Sequence, residues 1–118
     1  MGTTEVRLKV KNLKNPSKVF EGKFLVDSGA TYTIVPEEIL KKLGIKPEGK
    51  EEFFLADGRS ISRKVGNALY EYRGTRRAAP ILFGEKDDSL LLGTFTLEAL
   101  GLTLDPFKRK LYKALLRL

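Results

Sequence analysis

With 118 residues, 42% of them hydrophobic, the chain has the length and composition of one ordinary globular domain (residues 1–118) rather than of a disordered segment. It holds no histidine and no cysteine, which excludes a Ser-His-Asp triad, a His-Glu-x-x-His zinc helix, a thiolate metal site, a disulfide and a cysteine nucleophile. The net charge of +7 gathers partly at Lys108, Arg109, Lys110, Lys113 and Arg117, without a stacking-aromatic motif, so a solvated basic surface is expected and a nucleic-acid partner is not.

No apolar run approaches the roughly 20 residues that cross a bilayer, and the first residues lack the hydrophobic stretch of a signal peptide. A cytoplasmic protein with no membrane partner is the expectation. Neither glycine-rich phosphate-binding pattern occurs. Hydrolytic chemistry must therefore come from carboxylates, hydroxyls, lysines or backbone dipoles, with no cofactor and no metal expected.

In chain order, Glu5–Lys11 alternates Val6, Leu8 and Val10 with charged residues, which predicts a half-buried strand. Asn15-Pro16-Ser17 predicts a turn, and Val19–Val26 the returning strand, whose apolar end Phe24-Leu25-Val26 delivers Asp27 to its tip. Residues 32–35 form a short extended piece. A helix follows from Pro36 to Gly44, with Pro36 at the first helical position, Glu37–Lys41 and Glu38–Lys42 pairs, and Gly44 as the stop.

Residues 51–55 and 60–65 read as the arms of a hairpin turning at Ala56-Asp57-Gly58-Arg59. Separate strands are expected at 68–72 and 79–83, and Pro80 marks the latter as an edge. Leu91-Leu92-Gly93 leads into a short helix over 95–100 closed by Gly101, and strands at 102–105 and 111–116 end the chain. The sum is a mostly β fold: a small closed or curled barrel with one clear helix and one short one.

A carboxylate at the end of an apolar strand is expensive unless it finds partners. By itself Asp27-Ser28-Gly29 reads as an Asx-type turn. Its context adds more. Phe24-Leu25-Val26-Asp27-Ser28-Gly29-Ala30-Thr31, then Ile34-Val35-Pro36, then Leu91-Leu92-Gly93 before a helix, with a hairpin between them, resembles the retropepsin-like (retroviral-type) aspartic proteases over nearly the whole chain.

The resemblance implies a homodimeric aspartic endopeptidase that cleaves extended polypeptide with a water activated between two Asp27 carboxylates, one from each subunit. It places Ser28, Gly29 and Ala30 in the active-site loop, Ala56, Asp57 and Gly58 at the tip of a substrate-covering flap, and Leu91, Leu92 and Gly93 beneath the loop. Two carboxylates at close range cannot both ionise comfortably, so such a pair supplies an acid and a base together. Departures from the viral pattern fall at Thr31 and Tyr32, where viral enzymes carry two acids, at Asp57 and Arg59 in the flap, and at Thr94, where they carry arginine. The alternative reading is a binding or dimerisation module of the same fold with weak or no catalysis.

Overall fold

Strict alternation makes the first hairpin. In the computed structural model, which describes residues 3–115, β1 (Glu5–Lys11) buries Leu8 and Val10 and pairs antiparallel with β2 (Val19–Val26), from Glu5↔Leu25 to Lys11↔Val19. The Lys18 N–H donates to the Asn15 carbonyl at 3.0 Å and closes the turn between them. Then come β3 (Thr33–Pro36), α1 (Glu37–Lys42), β4 (Gly49–Phe54), β5 (Ser60–Tyr72) and β6 (Thr75–Gly84). β7 (Leu91–Leu92), α2 (Thr94–Ala99), β8 (Leu102–Asp105) and β9 (Lys110–Lys113) complete the described chain.

Seven strands form one sheet in the order β1-β2-β7-β3-β6-β5-β4, and β1 pairs again with β5 at Val10↔Tyr70. Six strands thus close into a ring, with β4 hanging outside it on β5. This is the small, curled, mostly β architecture expected from the sequence. Leu8, Val10, Phe24, Val35, Tyr70 and Ile81 fill the ring, and Leu40 of α1 and Leu97 of α2 join the same cluster from its ends. Burial of such side chains is the main favourable contribution to folding, roughly 1.5–3 kcal/mol each.

The ring closes on a paired charge as well as on apolar contact. The Lys11 ammonium donates to Glu71 Oε1 at 2.6 Å, and Lys9 lies 3.9 Å from the other oxygen. The Lys11 hydrogen bond holds the Glu71 carboxyl below the ordinary glutamate value, with burial opposing it in part.

Four details differ from the sequence expectation. Pro36 is not the first helical residue: at ψ 140° it ends β3 and stands as the helix N-cap. Glu37, rather than two parallel pairs, carries the ionic contacts of α1, reaching Lys41 at 3.1 Å and Lys64 of β5 at 3.3 Å. The expected strand at 68–72 is the second half of β5, which runs unbroken from Ser60. Gly66 permits this passage, because a Cβ there would stand 2.9 Å from the Lys46 carbonyl oxygen.

Pro80 is the fourth. β6 lies inside the sheet, between β3 and β5, but its pairing with β3 begins one residue later, at Thr33↔Ile81. The missing N–H therefore falls outside the β3 ladder. The final strand is Lys110–Lys113, and Leu116 of the expected strand at 111–116, like Arg117, lies outside the described residues.

Phe24→Ala should lower unfolding stability by about 3–5 kcal/mol in a urea titration, since the ring interior cannot collapse around the void. Because the folded Glu71 carboxyl sits below its unfolded value, its contribution is present at neutral pH and is lost as pH falls below the ordinary glutamate range. Lys11→Met should flatten that part of the acid-unfolding curve. An unchanged curve would remove the Lys11–Glu71 pair from the closure.

Candidate active site

β7 is wedged between two strands that run in opposite directions. It runs parallel to β2, at Leu25↔Leu91 and Val26↔Leu92, and meets β3 antiparallel at Ile34↔Leu91. The chain joining β2 to β3 must then cross the end of β7, and that crossing is the loop of Asp27, Ser28, Gly29 and Ala30. The Asp27 N–H donates to the Leu92 carbonyl at 3.0 Å, anchoring the loop where β2 ends.

Within the loop the Gly29 N–H donates to Asp27 Oδ1 at 2.9 Å, and the Ala30 N–H donates to the Asp27 carbonyl at 3.2 Å. The Asx turn foreseen as the plain reading of this tripeptide is therefore present, and it orients the carboxylate. A Cβ at residue 29 would lie 3.2 Å from Oδ1, which crowds the same oxygen. Asp27 is half-buried, and among the described residues its Oδ2 takes no hydrogen bond.

The far side of the loop is held by α2. A helix start leaves N–H groups without partners inside the helix. Here no side chain caps them. Instead the Thr94 N–H donates to the Ala30 carbonyl at 2.8 Å and the Phe95 N–H to the Thr31 carbonyl at 3.0 Å. So close an approach of two backbones requires Gly93, since a Cβ there would stand 2.5 Å from the Tyr32 carbonyl carbon and oxygen.

Beneath this contact lies a buried hydroxyl network. The Gly93 N–H donates to Thr33 Oγ1 at 3.0 Å, and Thr33 Oγ1 shares a proton bridge of 2.6 Å with Thr96 Oγ1, both residues being fully buried. The Tyr70 hydroxyl donates to the Pro80 carbonyl at 2.9 Å. Burial pushes its pKa far above the ordinary tyrosine value, although hydrogen bonding to Thr96 and Thr33 acts in the opposite direction. It stays a neutral donor throughout the working pH range.

Two cavities flank the loop. A cleft of about 490 Å³ is lined by Gly29, Ala30 and Leu91 together with Phe53 and Ile61 from the β4–β5 hairpin. Arg63 stands in its wall and pairs with Glu85 at 3.2 Å, while Asp88 is engaged by the Glu85 N–H at 2.7 Å. A second cavity, about 580 Å³, opens on the other side, where Asp27 meets Thr4, Leu104, Phe107 and Arg109. Among the described residues Asp27 is the one carboxylate on that wall.

The residues expected at the flap tip, Ala56, Asp57 and Gly58, are exposed and line neither cavity. Gly58 takes a left-handed φ of 88°, and Asp57 folds back on Arg59, accepting from its N–H at 3.0 Å and from Nε at 2.6 Å. Those bonds hold the Asp57 carboxyl below its usual range. Ser28 is likewise exposed and lines neither cavity. Leu92 is fully buried and Leu91 half-buried, so the pair sits under the loop while Leu91 also faces the cleft.

Sequence reasoning missed Thr33, Thr96 and Tyr70. A signal for Thr33 was available, since it alternates inward with Val35 in β3. Nothing in the sequence tied it to residue 96. Among the described residues no group of three or more acidic side chains stands close enough to hold a metal.

The family model for aspartyl proteases matches residues 18–96 of this chain. The solution structure of the simian foamy virus (mac) protease superposes on it with a TM-score of 0.53, at 22% identity, covering 79% of this chain and 92% of the viral one. No curated protein matches.

Gly93→Ala should destabilise the fold by about 1–3 kcal/mol, because the methyl must push the Tyr32 backbone away. Thr33→Val, close in shape, should cost about 1–3 kcal/mol by leaving the Gly93 N–H unpaired in the interior. Thermal unfolding of both variants checks this. A Thr33→Val melting point equal to wild type would show that the buried hydroxyls do not hold the loop.

Proposed function

The chain belongs to the aspartyl protease family, and we propose that it is a homodimeric endopeptidase whose two copies each contribute Asp27. Each copy acts as a single domain of residues 1–118, and the pair works in the cytoplasm on extended polypeptide. The ionised carboxylate takes a proton from a water between the two residues. The other carboxyl, protonated, donates to the carbonyl oxygen of the scissile peptide as the water oxygen bonds to its carbon. The tetrahedral adduct then collapses, the C–N bond breaks, and the leaving nitrogen is protonated by the dyad. No cofactor or metal enters the reaction.

The observation that carries this reading is the state of the Asp27 carboxylate. One oxygen is fixed by the Gly29 N–H, the other is open, and the loop beneath is pinned to β7 and α2. A lone carboxylate cannot serve as acid and base in the same step, so a second copy must complete it. Support for the dimer comes from the neighbouring surface, where Phe107 is 95% exposed on the wall it shares with Asp27. A two-fold contact there buries an otherwise unpartnered aromatic side chain and brings identical loops together.

In this reading Ser28 bonds across the dimer from its exposed position, and Gly29 and Ala30 form the cleft floor. Leu91, Leu92 and Gly93 set the loop's height. Ala56, Asp57 and Gly58 close over the substrate, whose backbone pairs with the hairpin strands.

Asp27→Asn should abolish digestion of an unfolded protein, by at least about a thousandfold, while sedimentation still reports a folded dimer. Wild-type cleavage should fall once pH rises past the point where the dyad loses its last proton. Retained cleavage by Asp27→Asn would take Asp27 out of the mechanism. A well-folded wild-type dimer that cleaves nothing would support the binding-module alternative.

A further inference from the structure

β4 is the least supported strand of the sheet. It pairs with β5, and among the described residues five of its six side chains are exposed, with Phe53 alone half-buried. What covers Phe53 is Tyr32. The two rings meet edge to face with centroids 5.8 Å apart at 85°, and the other side of Tyr32 meets Phe95 of α2 at 5.3 Å and 79°. Offset and edge contacts of this kind are favourable beyond their buried area.

The chain thus builds an aromatic bridge from α2, through the active-site loop, to the outer arm of the hairpin. Tyr32 follows Asp27 by five residues, and its backbone is the surface against which Gly93 packs. The ring also lines the cleft beside Gly29 and Ala30. Its phenol has an acidity lowered by burial first and by the nearby Glu51 second, so the hydroxyl remains protonated and uncharged. Among the described residues this hydroxyl makes no hydrogen bond, which leaves the ring faces as its contribution to the contact.

We propose that Tyr32 is a positioning residue that seats the β4–β5 hairpin over the cleft, through Phe53 on one side and Phe95 on the other, and so controls substrate retention rather than the chemical step. The proposal rests on the protease reading for its kinetic consequence, but not for its structural one. Phe54, next in the strand, points the other way and is 76% exposed, so the seat depends on a single side chain of β4. Loss of Tyr32 leaves β4 tethered to the body by its ladder with β5 alone.

The test is amide hydrogen exchange of β4 in wild type, Tyr32→Phe, Tyr32→Leu and Phe53→Ala, each also carrying Asp27→Asn so that the structural readout is independent of activity. Tyr32→Phe should keep wild-type protection. Tyr32→Leu and Phe53→Ala should each lose about tenfold in β4, the worth of one aromatic pair, with β1 and β2 unchanged.

In the parent protein with Asp27 intact, the same two variants should raise KM about tenfold on a peptide substrate and leave kcat within about twofold, while Tyr32→Phe matches wild type. Equal β4 protection in all four proteins would overturn the proposal even if the enzyme is active. A tenfold loss of β4 protection, together with no cleavage by the parent protein that retains Asp27, would sustain the seat and sink the protease reading instead. A fall in kcat with KM unchanged would place Tyr32 in the chemistry and overturn its assignment to positioning.

Discussion

Two backbone segments that are far apart in sequence touch at Gly93 and Tyr32 with no room for a methyl between them. Through that contact the first N–H groups of α2 reach the carbonyls of Ala30 and Thr31. Each partner solves a problem for the other. The helix start needs acceptors, since no side chain caps it, and the loop carbonyls need donors where the sheet offers none. The Thr33–Thr96 hydroxyl pair then fills the space beneath with a fully satisfied polar contact, which costs little only because every member is bonded.

From this contact the placement of the carboxylate follows. β7 fixes the Asp27 N–H, α2 fixes the carbonyls three and four residues later, and the Gly29 N–H turns the side chain outward. The loop has little freedom left, although its side chains are half-buried or exposed. Rigidity here comes from the backbone bonds at both ends, not from packing of the loop itself. The hairpin is built in the opposite way. β5 is a long strand rooted in the ring, but β4 is an edge with one half-buried residue, whose ring meets Tyr32. A firm floor beside a lightly held hairpin is an arrangement suited to the admission and release of substrate that the proposed function requires.

Much of the fold was legible because local chemistry and tertiary structure agree. Alternation in Glu5–Lys11 gave β1 to the residue, and Phe24-Leu25-Val26 before Asp27 gave the end of β2. Asp57-Gly58 gave the turn, and Gly44 and Gly101 gave the helix stops, at φ of 76° and 68°. The misreadings share a cause. The strand expected separately at 68–72 is the second half of β5, because Gly66 lets β5 pass the Lys46 carbonyl without a break. Pro80 was taken as an edge marker, yet the β3 ladder starts one residue beyond it. In both cases a neighbour supplied by another part of the chain decided the outcome.

The sequence by itself determined the chemistry that is possible. Without histidine or cysteine, hydrolytic chemistry is left to carboxylates, hydroxyls, lysines or backbone dipoles, and Asp27-Ser28-Gly29 after an apolar strand is the candidate it offers. It also determined the order of the elements, because hydrophobic periods of two and of 3.6 are local properties. Only the tertiary structure decided that Thr33 meets Thr96, that Gly93 packs on Tyr32, and that Tyr32 stands between Phe53 and Phe95. Those partners lie about 20 to 60 residues apart, and contact at that separation is set by the closure of the ring and the wedge of β7, which no window along the chain contains.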